Sequence, residues 1–162
     1  MSWSRRRFLA LSAVPLAGCG FTPLYGEGSA ARNLQGRIRV DVLEGRFGFD
    51  LRERLVTRLG PPSNPSFNLK VRTTSEQDSR AIRADNTTSR FTLSILAEFQ
   101  VIERATGAQV FQDTAQAFTA YSAVASAFAT REAEADAFNR LATTLADQIV
   151  LRLATTAEVW AT

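Results

Sequence analysis

Apolar and polar residues alternate most regularly between Phe91 and Val101. Phe91, Leu93, Ile95, Ala97, Phe99 and Val101 fall on one side of an extended chain, and Thr92, Ser94, Glu98 and Gln100 on the other. Only Leu96 and Ile102 break the phase. Side chains of a strand point to opposite faces in turn, so this pattern predicts a strand with one buried face. Each large residue on that face contributes roughly 1.5–3 kcal/mol when buried, and a register slip by one residue would expose the whole set. The same period marks shorter strands at Ile38–Val42 and Phe67–Arg72. A fourth strand, Gln109–Tyr121, returns after the turn Arg104-Ala105-Thr106-Gly107 and makes an antiparallel pair with the third. The polar stretch Thr73–Thr88 reads either as a long hairpin extension or as a loop.

A helical period appears twice. Leu51, Leu55, Val56 and Leu59 share one face, while Arg52, Glu53, Thr57 and Arg58 take the other. Gly45–Gly48 reads as a turn, and Asp50 with Glu53 three residues later has the spacing of a capping box. Gly60-Pro61-Pro62 stops this helix. The second stripe is Phe138, Leu141, Ala142, Leu145, Ile149 and Leu153. Thr130 is its expected N-cap, with Glu132, Glu134 and Asp136 in the first turns, where the helix dipole favours negative charge. Beyond Thr155 the helix is expected to fray, with Val159 and Trp160 available to dock.

The predicted order is β-α-β-β-β-α. Two helices with one apolar stripe each, and a sheet with one apolar face, are satisfied together by an α+β fold. Both helices pack on one face of a four-stranded mixed sheet. The first two strands are parallel, joined by a right-handed helical crossover. The other face stays polar, with Arg39, Asp41, Lys70, Arg72, Glu98, Gln100, Gln112 and Thr114.

Ahead of this domain the pattern changes. Arg5-Arg6-Arg7 precedes an apolar run, Phe8–Ala17, too short to span about 30 Å of hydrocarbon. Leu16-Ala17-Gly18-Cys19 has the form of a lipobox, so residues 1–18 read as a lipoprotein signal peptide. Ser4-Arg5-Arg6-Arg7-Phe8-Leu9 also fits a twin-arginine signal, which leaves the export route open. Cys19 is the expected lipidation site, carrying covalent diacylglycerol and an N-acyl chain, because two or three acyl chains anchor stably where one does not. Residues 19–36 form the lipidated N-terminus and tether, residues 37–155 the domain, and 156–162 a C-terminal tail.

This changes the meaning of the charge. The chain has 19 basic and 16 acidic residues. Arg5, Arg6 and Arg7 leave with the signal and no acid does, so the mature part is balanced at 16 to 16. The high pI therefore argues for no nucleic-acid partner. There is no histidine and one cysteine, so imidazole acid–base chemistry, a zinc site and an intrachain disulfide are not expected.

Cys19-Gly20-Phe21-Thr22-Pro23-Leu24-Tyr25-Gly26, directly after the lipobox, resembles the mature N-terminus of the LptE family of LPS-assembly lipoproteins. Element order and spacing are similar along the mature chain. The resemblance implies a protein that is not an enzyme and needs no cofactor or metal. It implies a lipid-anchored partner that sits inside the outer-membrane β-barrel LptD as a plug, assists barrel folding and helps lipopolysaccharide reach the outer leaflet. Its domain would lie inside the barrel or face the periplasm.

The family places basic residues for lipopolysaccharide near the loop between the second and third strands. Arg80, Arg83 and Arg90 lie in the matching region, and a guanidinium pairs bidentately with phosphate oxygens. Glu76, Asp78 and Asp85 stand ready to balance them. Asp78 and Asp85 make a poor catalytic pair in a polar stretch, and Ser122 and Ser126 lack a base to activate them. The alternative function is an auxiliary binding module of an ABC-type lipid transport system.

Overall fold

The computed structural model describes residues 30–82 and 88–161. The signal segment 1–18, Cys19 and Arg83 lie outside them. After a single helical turn, Ala30–Asn33, the elements are β1 (Ile38–Val40), α1 (Gly45–Leu59), β2 (Phe67–Ile82), β3 (Thr88–Glu103), β4 (Gln109–Ser122) and α2 (Ala127–Trp160). The sheet order is β1-β2-β3-β4, with β1 parallel to β2 and the remaining pairs antiparallel. This is the predicted α+β arrangement.

The alternation of β3 is realised residue by residue: Leu93, Ile95, Ala97, Phe99 and Val101 are all buried. They meet Ile38 and Val40 of β1, Phe67 and Leu69 of β2, and Ala115 and Ala117 of β4 in one core. Register places Ala97 opposite Ala115 and Ile95 opposite Ala117. Small side chains there leave room for α2, which brings its own Ala142 and Ala146 to the core. Its larger residues Leu141, Leu145, Ile149 and Leu153 are fully buried.

The two helices run parallel. Arg54 of α1 donates from Nε to Thr143 Oγ1 of α2 at 2.7 Å, and one turn later Arg58 pairs with Asp147. Aligned helix dipoles repel weakly, and these polar cross-links offset that.

Four expectations need correction. First, Gly45–Gly48 is the opening turn of α1, not a turn before it, and the N-cap is Glu44. Asp50 is therefore interior and makes no capping box. The reason is tertiary: a Cβ on Gly48 would lie 2.8 Å from Leu43 Cβ, so only glycine lets the buried Leu43 fold back on the helix. The end of α1 is as expected, with Gly60 at φ 80.

Second, α2 begins at Ala127 with Ser126 as N-cap. Thr130 instead turns its hydroxyl back to the Ser126 and Val124 carbonyls, at 3.1 and 3.3 Å. No acid lies in the first turn.

Third, the tail does not fray. Trp160 ends the helix, buried edge-on against Phe67 at 5.2 Å and stacked on Phe111 at 5.9 Å. Val159 points to solvent.

Fourth, the last part of the expected tether belongs to the domain. Leu34 is buried, and Gly36 donates to Leu59 O at 2.9 Å and accepts from Ser63 N–H at 3.0 Å. The stretch left open at Thr73–Thr88 is a hairpin extension, since β2 and β3 stay paired from Phe67↔Glu103 to Ile82↔Thr88.

Candidate functional site

The outer face of the sheet carries an open groove of 640 Å³. It is lined by Lys70 and Arg72 from β2, Glu98 from β3, Asp41 beyond β1, and Gln112 and Thr114 from β4, among others. Register orders these side chains. Lys70 stands opposite Gln100, which stands opposite Gln112; Arg72 stands opposite Glu98, which stands opposite Thr114. Cations and anions interleave, so the groove has no single-sign field to steer a highly charged ligand. It offers a broad array of hydrogen-bonding groups instead.

Asp113 forms one rim of this groove. Its carboxylate accepts from Arg152 Nη1 and from the Thr114 N–H, each at 2.7 Å. The hydrogen bond from the Arg152 guanidinium is the main reason that its carboxyl titrates below the usual carboxylate range. Further along β4, Arg140 Nη2 donates to Ala120 O at 3.5 Å while the same guanidinium pairs with Asp136.

A second cluster lies on the inner face where the hairpin passes beyond the main core. Gln77 Nε2 donates to Tyr121 Oη at 3.1 Å. Phe91 stacks on the Tyr121 ring at 5.2 Å. Burial, then the charge and hydrogen bond of Glu134, push the Tyr121 phenol above the ordinary tyrosine value. Beside it, a cleft of 390 Å³ between α1 and α2 is lined by Arg46, Phe47, Asp50, Arg131, Glu134 and Phe138, among others. The Phe47 and Phe138 rings stand 6.0 Å apart there.

Of the residues singled out from sequence, Arg90 is exposed on β3. Its backbone lies opposite Ala81 and Ser122, which puts it beside Arg80 of β2 on the ladder. Arg83 and Asp85 lie outside the described residues, so the three arginines are not seen together. Asp78 sits on β2 opposite Thr92. Ser126 is committed to structure, its Oγ accepting from Ala129 N–H at 3.4 Å. Sequence reasoning missed Asp113, Arg140, Arg152 and the Tyr121–Glu134 pair. Arg140 and Arg152 lie twelve residues apart on α2, a spacing that marks no common face at 3.6 residues per turn, and their target is a strand edge that only the topology reveals. Among the described residues no helix is long and apolar enough to cross a membrane.

A family model described as "LptE: Lipopolysaccharide-assembly" matches residues 29–153. No curated protein matches the chain. Among solved structures, a candidate lipoprotein from Caulobacter crescentus is 26% identical, covers 82% of this chain and 98% of its own, and superposes with a TM-score of 0.69. The rare lipoprotein B from Shewanella oneidensis is 15% identical over 74% of this chain and 92% of its own, at a TM-score of 0.57. A minor lipoprotein from Acinetobacter baumannii is 18% identical over 74% and 89%, at 0.54. The last two likenesses speak to the fold alone.

Proposed function

The chain belongs to the LptE lipopolysaccharide-assembly family, and from that premise we propose that it is the lipid-anchored plug of the outer-membrane barrel LptD. In this reading it assists barrel folding and the insertion of lipopolysaccharide into the outer leaflet, without catalysing a reaction. The carrying observation is the family match, which spans all four strands and both helices up to Leu153. The outer sheet face fits the role, since a hydrated barrel lumen favours a surface of interleaved charges and amides over an apolar one. Acylation of Cys19 would hold the domain at the outer membrane. Arg80 and Arg90, towards the far end of the hairpin, together with Arg83, are the groups proposed to meet lipopolysaccharide phosphates.

The test is an affinity pull-down of the C-terminally tagged chain from detergent-solubilised outer membranes, with mass spectrometry of the eluate. A barrel of the LPS-assembly type at near one-to-one ratio is the expected result. Transport components of the inner membrane in its place would overturn the plug reading in favour of an auxiliary transporter lipoprotein. Separately, Cys19→Ala is expected to leave uncleaved, unacylated precursor; normal maturation of that variant would remove the anchor from the proposal.

A further inference from the structure

The edge of the sheet at β4 has a backbone polarity that the hydrogen bonds between β1 and β2 determine. Phe67 N–H donates to Arg37 O at 3.1 Å and Leu69 O accepts from Asp41 N–H at 3.0 Å. Odd residues of β2 therefore face β1, and even ones face β3. In an antiparallel strand the N–H and C=O of one residue point the same way, and opposed residues either exchange both bonds or neither. Carried through the register, from Lys70↔Gln100 to Phe99↔Asp113 and Ile95↔Ala117, this turns the odd residues of β4 towards β3. The even residues Gln112, Thr114, Gln116, Phe118 and Ala120 direct their backbone groups outward, along an edge that no other strand of the sheet covers. Exposed strand edges of this length template pairing with another chain.

Two of those outward groups are occupied by side chains of the same molecule. The Thr114 N–H is taken by Asp113, itself held by Arg152 of α2. The Ala120 C=O is taken by Arg140 of α2, itself held by Asp136. Between them lie Gln116 and Phe118, and the Phe118 ring is 81% exposed. In a two-fold antiparallel pairing of β4 with a second copy, centred on Ala117, Gln116 meets Phe118 and Thr114 meets Ala120. The donor occupied on one copy and the acceptor occupied on the other are then partners, and symmetry repeats the conflict at the opposite end. What remains open is too short to hold two strands together.

We infer that Asp113 and Arg140 are edge guards: they keep this chain from adding itself, β4 to β4, into a continuous two-copy sheet. The second copy is the occupant they exclude, because the two capped groups are complementary to each other across a two-fold axis.

The experiment is sedimentation of the full chain in detergent over about a hundredfold range of concentration. The unaltered chain is expected at monomer mass throughout. Asp113→Ala with Arg140→Ala is expected to shift towards twice that mass as concentration rises. Adding Gln116→Pro should return it to monomer, since the Gln116 N–H points outward and proline there removes no backbone bond within the sheet, only the exposed side-chain bond from Gln116 Nε2 to Ser94 Oγ. A doubly substituted chain that stays monomeric, an association that survives Gln116→Pro, or a dimer already present in the unaltered chain would each overturn the inference. Should the double variant fail to fold, amide exchange on the unaltered chain decides: Thr114 is expected to exchange roughly five- to tenfold more slowly than Phe118, and equal rates would overturn the guard at Asp113.

Discussion

The β2–β3 hairpin is one continuous ladder with two different halves. In its base, Phe67 and Leu69 alternate with exposed or half-buried polar residues, and Val101 and Phe99, the partners of Leu69 and Val71, are buried. In its distal arm, Ser75, Gln77 and Ser79 occupy the positions that continue the core face, and β2 is exposed on both sides from Thr74 to Ser79. Backbone pairing runs through both halves, with register shifts only between Ser79 and Ile82; what differs is whether the inner face of β2 is covered. The base is held by apolar burial, about 25 cal/mol for each Å² removed from water. Along the arm, β2 is held by ladder bonds and by cross-strand pairs worth about 0.2–1 kcal/mol each. Along Thr74–Ser79 it is thus β2 alone that runs past its cover, while Ile95 and Leu93, opposite Ser75 and Gln77 on β3, still lie in the core.

Substitutions can break this contrast in order of effect. Ile95→Asp places an ion in the core, on the β3 side of the ladder opposite Ser75, at a cost of about 4 kcal/mol or more. Against a total stability of about 5–15 kcal/mol, a thermal melt should lose most of its cooperative transition. A variant melting like the parent would mean that the inner face is not packed as described. Trp160→Ala removes the ring that Phe67 and Phe111 close upon; urea unfolding should register a loss of about 3–5 kcal/mol.

In the arm the effects shrink. Gln77→Ala deletes one hydrogen bond to Tyr121 and should cost about 1 kcal/mol. Ser79→Asp, on the same face as Ile95 but beyond the helices, is expected to stay within about 0.5 kcal/mol of the parent. If it destabilises as Ile95→Asp does, the arm has a cover that the contrast ignores.

Tyr121 sits level with the arm, opposite Phe91 and bonded to Gln77, and pH probes it. Its folded value is raised, so the neutral phenol is favoured in the folded state. The sign follows: its contribution to stability is complete below the ordinary tyrosine value near 10 and is lost as pH rises through the higher folded value. In a Tyr25→Phe background, absorbance titration should show Tyr121 ionising late. Glu134→Gln should bring it part of the way back, because burial remains the largest cause. An unchanged titration in that variant would remove Glu134 from the cluster.

Much of this was legible along the chain where one force acted alone. The alternation of β3 and the stripes Leu51–Leu59 and Leu141–Leu153 are dictated by burial of a single face, so residue order reveals them. Element starts were not legible, because competing signals share the same residues. Gly45 and Gly48 look like turn formers, and only the contact with Leu43 makes glycine suit a helix there. Thr130 looks like a cap, yet its hydroxyl serves backbone carbonyls. The docking of Trp160 did have a signal: Ile149, Leu153, Ala157 and Trp160 continue the helical spacing. The candidate site was read less well. Arg90 lies on the hairpin as expected, but the guarded edge depends on β4 being the last strand of the sheet, and strand order is a property of topology.

The position of α2 in chain order has a consequence in time. A polypeptide emerges amino end first during synthesis, and α2 follows every strand. All four strands are therefore available to pair before the helix that supplies Leu141, Leu145, Ile149 and Leu153 has arrived. During that interval Phe99, Val101 and Phe111 face water, and α1 alone shields the sheet. The length of α2, 34 residues, sets how long the nascent sheet stays uncovered, and any folding helper acting on this chain has that window and that face to work with.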